Sequence, residues 1–149
     1  MIGVQGAGKS TFCLRRFAHS HLRLSRDLLG TANREMVLFH AALAVGARAV
    51  IDNTNPTRSA RARFVGPARA CGYEVIAYHV EASATDALAR NAQREPARRV
   101  PDKAVLGTLA KLSPPTYDEG FSAIYRVRLG PDGAYDVALL PNSAEEHDG

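Results

Sequence analysis

The chain has 149 residues, 46% of them hydrophobic and 23% charged, with 12 glycines, 8 prolines and a formal net charge of +4. That is the composition of one globular domain with its own core, and it excludes a coiled coil, a collagen-like repeat and a disordered chain. No apolar run approaches the ~20 residues that cross a bilayer, and no charged-then-apolar segment opens the chain as a signal peptide would.

In chain order, Gly3 to Thr11 reads GVQGAGKST, which fits G-x-x-x-x-G-K-[ST]. Residues 9–19 follow as a predicted helix, 21–24 as a short strand ending at Ser25-Arg26-Asp27, and 32–45 as a second helix. Its stripe is Met36, Val37, His40, Ala41 and Ala44, and Gly46 stops it. Residues 49–52 form an apolar run closed by a carboxylate, the pattern of a buried parallel strand. A helix over 57–71 with arginines on its outer face stops at Gly72. Residues 74–80 read as a strand, 84–94 as a helix, 95–101 as a basic break and 102–112 as a helix. After Ser113-Pro114-Pro115, residues 123–129 alternate as a strand. The turn Gly130-Pro131-Asp132-Gly133 returns the chain as a hairpin over 134–140. Strands alternating with helices predict an α/β fold, a mostly parallel sheet flanked by helices with a C-terminal hairpin. The domain spans 1–140, and 141–149, with Glu145, Glu146 and Asp148, read as an acidic flexible tail.

All but three of the 19 basic residues (Lys9, Lys103 and Lys111) are arginine. They cluster at Arg58, Arg61, Arg63 and Arg69, and at Arg90, Arg94, Arg98 and Arg99, which favours an anionic partner. With two cysteines, Cys13 and Cys71, there is no disulfide framework, so a cytoplasmic setting is expected and both thiols are expected to pack as small buried hydrophobes.

The glycine-rich loop carries the clearest chemistry. Gly3, Gly6, Ala7 and Gly8 let successive backbone N–H groups converge on an anion, and the helix end behind them adds partial positive charge. Lys9 would reach the β- and γ-phosphates of a nucleotide, and the Ser10 hydroxyl would hold Mg²⁺. Such a pattern arises by chance about once in two hundred chains of this length at average usage; the alternative is a glycine-rich turn that only caps a helix. Asp52, closing the strand over 49–52, is either a carboxylate delivered to that metal and its waters or a turn residue before Asn53. A phosphoryl acceptor needs a base and cations. Asp27 offers the base, or else caps a helix. Arg90 and Arg94, four apart, form a mobile lid, or else a solvated helix face.

The succession GVQGAGKST, SRDLLG with Arg34 behind it, VIDNTNPTRSARARFVGPARACGYEV, ALARNAQRE, VPDKAV and SPPTYDEGF resembles the 5'-kinase domain of polynucleotide kinases, over roughly residues 3–129. The animal 3'-phosphatase/5'-kinase repair enzymes are the nearer pattern. The resemblance implies a kinase-type P-loop NTPase fold using ATP and Mg²⁺. It implies Asp27 as general base toward a 5'-OH nucleic acid end, and Arg94 as the lid arginine on the transferring phosphate. Gly3, Gly6, Ala7, Gly8, Lys9, Ser10, Thr11 and Arg90 are implied at the nucleotide, with Lys9 also catalytic, and Ser10 and Asp52 at the metal. The phage pattern has an arginine where this chain has Gly30. The animal pattern has glycine there and a later arginine, matched by Arg34, for acceptor binding. No D-x-D-x-T stretch is present in this sequence, so phosphatase activity is not expected of it. The competing functions are a small-molecule or nucleotide-sugar kinase on the same scaffold, and an ATP-binding module without transfer.

Only Met1 and Ile2 precede Gly3, whereas a strand entering such a loop runs about five residues and is buried on both faces. The expectation is a truncated first strand, with an apolar N-terminal extension in the intact protein.

Overall fold

The computed structural model describes residues 1–144, so part of the acidic tail, with Glu145, Glu146 and Asp148, lies outside the described residues. Five strands and six α-helices alternate: α1 Lys9–Phe17, β1 Leu22–Leu24, α2 Arg26–Leu29, α3 Ala32–Ala44, β2 Ala49–Ile51, α4 Arg58–Ala70, β3 Ile76–Glu81, α5 Ala84–Gln93, α6 Asp102–Lys111, β4 Ala123–Leu129 and β5 Tyr135–Leu139. Local chemistry sets several of these boundaries. Thr31, Thr57 and Ser83 cap α3, α4 and α5, their hydroxyls accepting from Arg34 N, Ala60 N and Asp86 N.

β1 pairs with β2 in parallel, Leu24 opposite Ile51. β3 pairs with β4 in parallel, His79 opposite Arg126, and β4 pairs with β5 as an antiparallel hairpin, Val127 opposite Val137. Residues 1–3 join the two groups. Met1 N donates to Ile51 O and Gly3 N to Thr54 O, while Ile2 N donates to Tyr78 O and Val80 N to Ile2 O. The spatial order is therefore β1, β2, residues 1–3, β3, β4, β5. Next to Met1, between β2 and β3, lies an apolar cavity of about 460 Å³, with Phe39, Val50, Phe64, Ala77 and Tyr78 in its wall. One core cluster joins Val4, Phe12, Cys13, Tyr78, Val80 and Val127, and another joins Leu24, Phe39, Leu43, Phe64 and Ala68.

Three expectations are corrected. α3 buries Glu35, Phe39, Ala42 and Leu43, with Val37, His40 and Ala41 outside; the true row contains a glutamate, so a search for apolar spacing passes it over. Cys71 is exposed because it closes α4 at the surface, whereas Cys13 is buried. Arg61 does not join its neighbours on the outer face of α4 but is 3% exposed. Its guanidinium clasps Glu119 at 2.7 Å and donates to Ser113 O at 3.0 Å and Asn55 O at 3.2 Å.

Candidate active site

The glycine-rich loop runs from the residue 1–3 segment into α1, along the ends of β2 and β3. Gly6 has φ 81°, and a Cβ there would come within 2.3 Å of Ala87 O on α5, so only glycine lets the loop lie this close. Gly8, at φ 99°, begins α1 with no side-chain cap. The first-turn amides and the positive end of the helix dipole thus remain available to an anion. Tyr135, from β5, fixes the loop from behind, its hydroxyl donating to Gly8 O at 2.8 Å.

Lys9 curls back over the loop and donates from Nζ to Val4 O at 2.8 Å. Its burial lowers the ammonium from the ordinary lysine range to about 8. The nearby Arg94 charge pushes in the same direction, while Asp52 and Asp27 pull it back up. The fields of the residues expected at the metal, the base and the lid therefore meet at Lys9.

Ser10 and Asp52 are brought together across 42 residues, Ser10 Oγ donating to Asp52 Oδ2 at 3.0 Å. Asp52 arrives at the end of β2, its amide donating to Leu24 O. Arg23, on β1, grips the same carboxylate oxygen through Nε at 2.8 Å and a terminal nitrogen at 2.7 Å. A hydroxyl and a carboxylate beside a phosphate cradle are the hard oxygen donors that suit Mg²⁺, so these residues fit the ion. The uncapped helix end and Lys9 likewise fit a nucleotide's phosphates.

Asp27 stands exposed in the first turn of α2. Arg34, in the first turn of α3, reaches back to Leu29 O at 3.4 Å, so both flank the turn at Gly30. Arg90 lies in the last turn of α5, near enough for its charge to act on the Tyr135 hydroxyl. Arg94 ends α5 and its carbonyl accepts from Arg99 Nε at 2.7 Å. The basic break beyond it is a closed loop, because buried Asn91 donates to Val100 O at 2.7 Å and accepts from Val100 N at 3.2 Å. Thr11 is exposed on α1.

The expected arginine surface of α4 is partly consumed. Arg58 pairs with Asp118 at 2.8 Å and Arg61 is internal, while Arg63 lies against the Phe64 ring. Sequence reasoning missed Arg23, Asn53, Glu35, Asn91 and Tyr135. Only the polar identity of Glu35 inside an otherwise apolar helical row could have marked one of them.

A parallel sheet, a glycine loop entering a helix, and a serine–aspartate pair at the loop's mouth define a P-loop nucleotide-binding domain of kinase type. The AAA domain family model matches residues 1–115, and the chain belongs to that family. It is also similar to the bifunctional polynucleotide phosphatase/kinase of Schizosaccharomyces pombe, 26% identical over an alignment of 131 residues that covers 85% of this chain. The match covers 32% of that enzyme's length, so the chain spans about a third of its relative. It is thus a polynucleotide-kinase-like P-loop domain, and P-loop kinases generally use ATP and Mg²⁺. Among the described residues, no helix is long and apolar enough to cross a membrane.

Proposed function

We propose that this domain transfers the γ-phosphate of ATP to the 5'-hydroxyl end of a polynucleotide, with Mg²⁺. The observation that carries the reading is the Ser10 Oγ–Asp52 Oδ2 hydrogen bond at the mouth of the uncapped glycine loop, with the charges of Asp27 and Arg94 acting on Lys9 from two further elements. Bound ATP supplies the transferable phosphoryl group, and Mg²⁺ offsets the charge on its oxygens. Gly3, Gly6, Ala7, Gly8 and Thr11 line the phosphate cradle. Ser10 and Asp52 would hold the ion, and Lys9 would leave Val4 O to meet phosphate oxygen. Asp27 accepts the acceptor hydroxyl's proton. The freed oxygen then attacks the γ-phosphorus as its bond to the ADP oxygen breaks. Arg94, with Arg90 beside the nucleotide, neutralises the charge in transit, and Arg34 grips the acceptor.

A small-molecule acceptor is the second reading. The engagement of Arg58 and Arg61 in ion pairs favours it by thinning the basic surface a nucleic acid would use. The test is label transfer from γ-labelled ATP to 5'-OH DNA and RNA oligonucleotides beside a panel of hydroxylated metabolites, each at low and high salt. Oligonucleotide labelling that falls steeply with salt supports the polynucleotide. Labelling of a metabolite alone, insensitive to salt, overturns it.

A further inference from the structure

Glu35 is wholly buried in the first turn of α3. Its neighbours in the same row are Phe39, Ala42 and Leu43, and an apolar side chain there would avoid the cost of desolvating a carboxylate. Among the described residues the one cation paired with it is Arg26, whose terminal nitrogen lies 3.6 Å from Oε1, and Oε1 has no hydrogen-bond partner. The other oxygen is engaged. Oε2 accepts from Asn53 Nδ2 at 2.6 Å, and Asn53 Oδ1 in turn accepts from Arg26 N at 3.0 Å.

That last bond matters because of what it replaces. α2 is a four-residue helix whose N-cap, Ser25, makes no side-chain cap bond. Its first amide is instead capped across space by Asn53, from the loop after β2. Glu35 orients that asparagine by accepting from its side-chain N–H, which leaves the amide oxygen pointing at Arg26 N. The residue so fixed immediately precedes Asp27.

We infer that Glu35 is a positioning residue for Asp27, acting through Asn53 to hold the α2 turn where its carboxylate can meet the acceptor hydroxyl. The inference rests on the reading of Asp27 as the base. The carboxylate and Asn53 also bind α2 to the loop bearing Asp52, so the acceptor side and the metal side of the site share one internal brace.

The test compares Glu35→Ala, Glu35→Gln, Asn53→Ala and the Glu35→Ala/Asn53→Ala double variant by two readouts. The first is hydrogen exchange at the Arg26 and Asp27 amides of the free protein. Loss of either link should speed exchange at Arg26 by about tenfold while the loop amides stay unchanged. The second is the split between kcat and KM with a 5'-OH oligonucleotide. A base displaced by an ångström costs on the order of 100-fold, so kcat should fall ~10–100-fold while KM for ATP stays within about threefold. Glu35→Gln, which keeps an oxygen facing Asn53, should recover most of the rate. The double variant should be no worse than the weaker single, because both cut one chain. Unchanged exchange and unchanged kcat in Asn53→Ala, or losses that multiply in the double variant, overturn the assignment. So does a fall in ATP affinity that tracks melting temperature, which would mark a purely structural role. Failure of the unmodified protein to label any oligonucleotide overturns the acceptor reading and the kinetic half of this assignment. Amide exchange then decides alone whether Glu35 fixes the turn.

Discussion

Asp27 and Arg94 are both surface-accessible side chains on short or terminal stretches of helix, so their substitution tests chemistry with little disturbance of the core. If Asp27 removes the acceptor proton, Asp27→Asn keeps the shape and should lower kcat by ~10²–10⁴ with ATP affinity nearly unchanged. Steady-state transfer beside nucleotide titration checks this, and wild-type-like turnover would return Asp27 to a helix-terminal role. Arg94→Lys retains charge but loses the planar fork that meets two phosphate oxygens, so transfer should still fall at least tenfold. The loop residues and Asp52 were legible in the sequence because each reports on itself: a contiguous motif, or a carboxylate closing an apolar run. The residues that orient them were not. Arg23 meets Asp52 across 29 residues and Asn53 meets Glu35 across 18, separations that only the paired β1 and β2 strands bring together.

The elements themselves were legible where periodicity was unmixed. β4 spans the expected residues, whereas the inward row of α3 was displaced because Glu35 interrupts it with a charge. Charge misled at α4 as well, since four arginines on one helix suggested a solvated face while Arg61 points inward. Arg61 and Glu119 are 3% and 4% exposed at the side chain, so removing one strands the other in low dielectric. Arg61→Ala should therefore cost ~3–5 kcal/mol, or about 10 °C in melting temperature for a chain of this size, whereas Arg58→Ala, at an exposed pair, should change little. Thermal melts of both decide it, and equal small shifts would place Arg61 among the surface arginines. β3 carries a second internal titratable group. Burial holds the His79 imidazole below its ordinary range, the Arg61 charge adds to this, and Glu81 opposes it, with Arg126 opposite in the sheet. The native state thus takes up a proton less readily than the unfolded chain. The stability it contributes is complete above about pH 6.5 and is lost as pH falls through the lowered value. His79→Gln should melt with a shallower acid dependence than the parent between pH 7 and 5; parallel curves would show that His79 does not carry the effect.

At the scale of the whole molecule, the sheet is held together at its centre by three residues. Met1, Ile2 and Gly3 supply every main-chain bond described between the β1–β2 and β3–β4–β5 groups, and beside them lies the apolar cavity of about 460 Å³. The Met1 ammonium is enclosed there, and its burial lowers it from the ordinary α-amino range to about 6. Phe39 of α3, Phe64 of α4 and Tyr78 of β3 contribute to the cavity's wall. A chain carrying four added residues such as Ile-Val-Leu-Val ahead of Met1 should therefore be more stable. Each apolar side chain buried contributes ~1.5–3 kcal/mol, against ~1–2 kcal/mol for ordering its backbone and about 0.5–1 for its side chain. Ladder hydrogen bonds add roughly 1 kcal/mol each. An amide also takes the place of a desolvated ammonium. The sum over four residues is a few kcal/mol, which should raise the melting temperature by roughly 5–10 °C. A Gly-Ser-Asp-Ser extension of the same length provides the comparison, since it removes the ammonium but cannot fill the cavity. A rise confined to the apolar extension, with faster-exchanging amides of β2 and β3 becoming protected, is the expected result. Equal melting of the two forms would mean that the cavity collapses on its own and that three residues suffice to join the sheet.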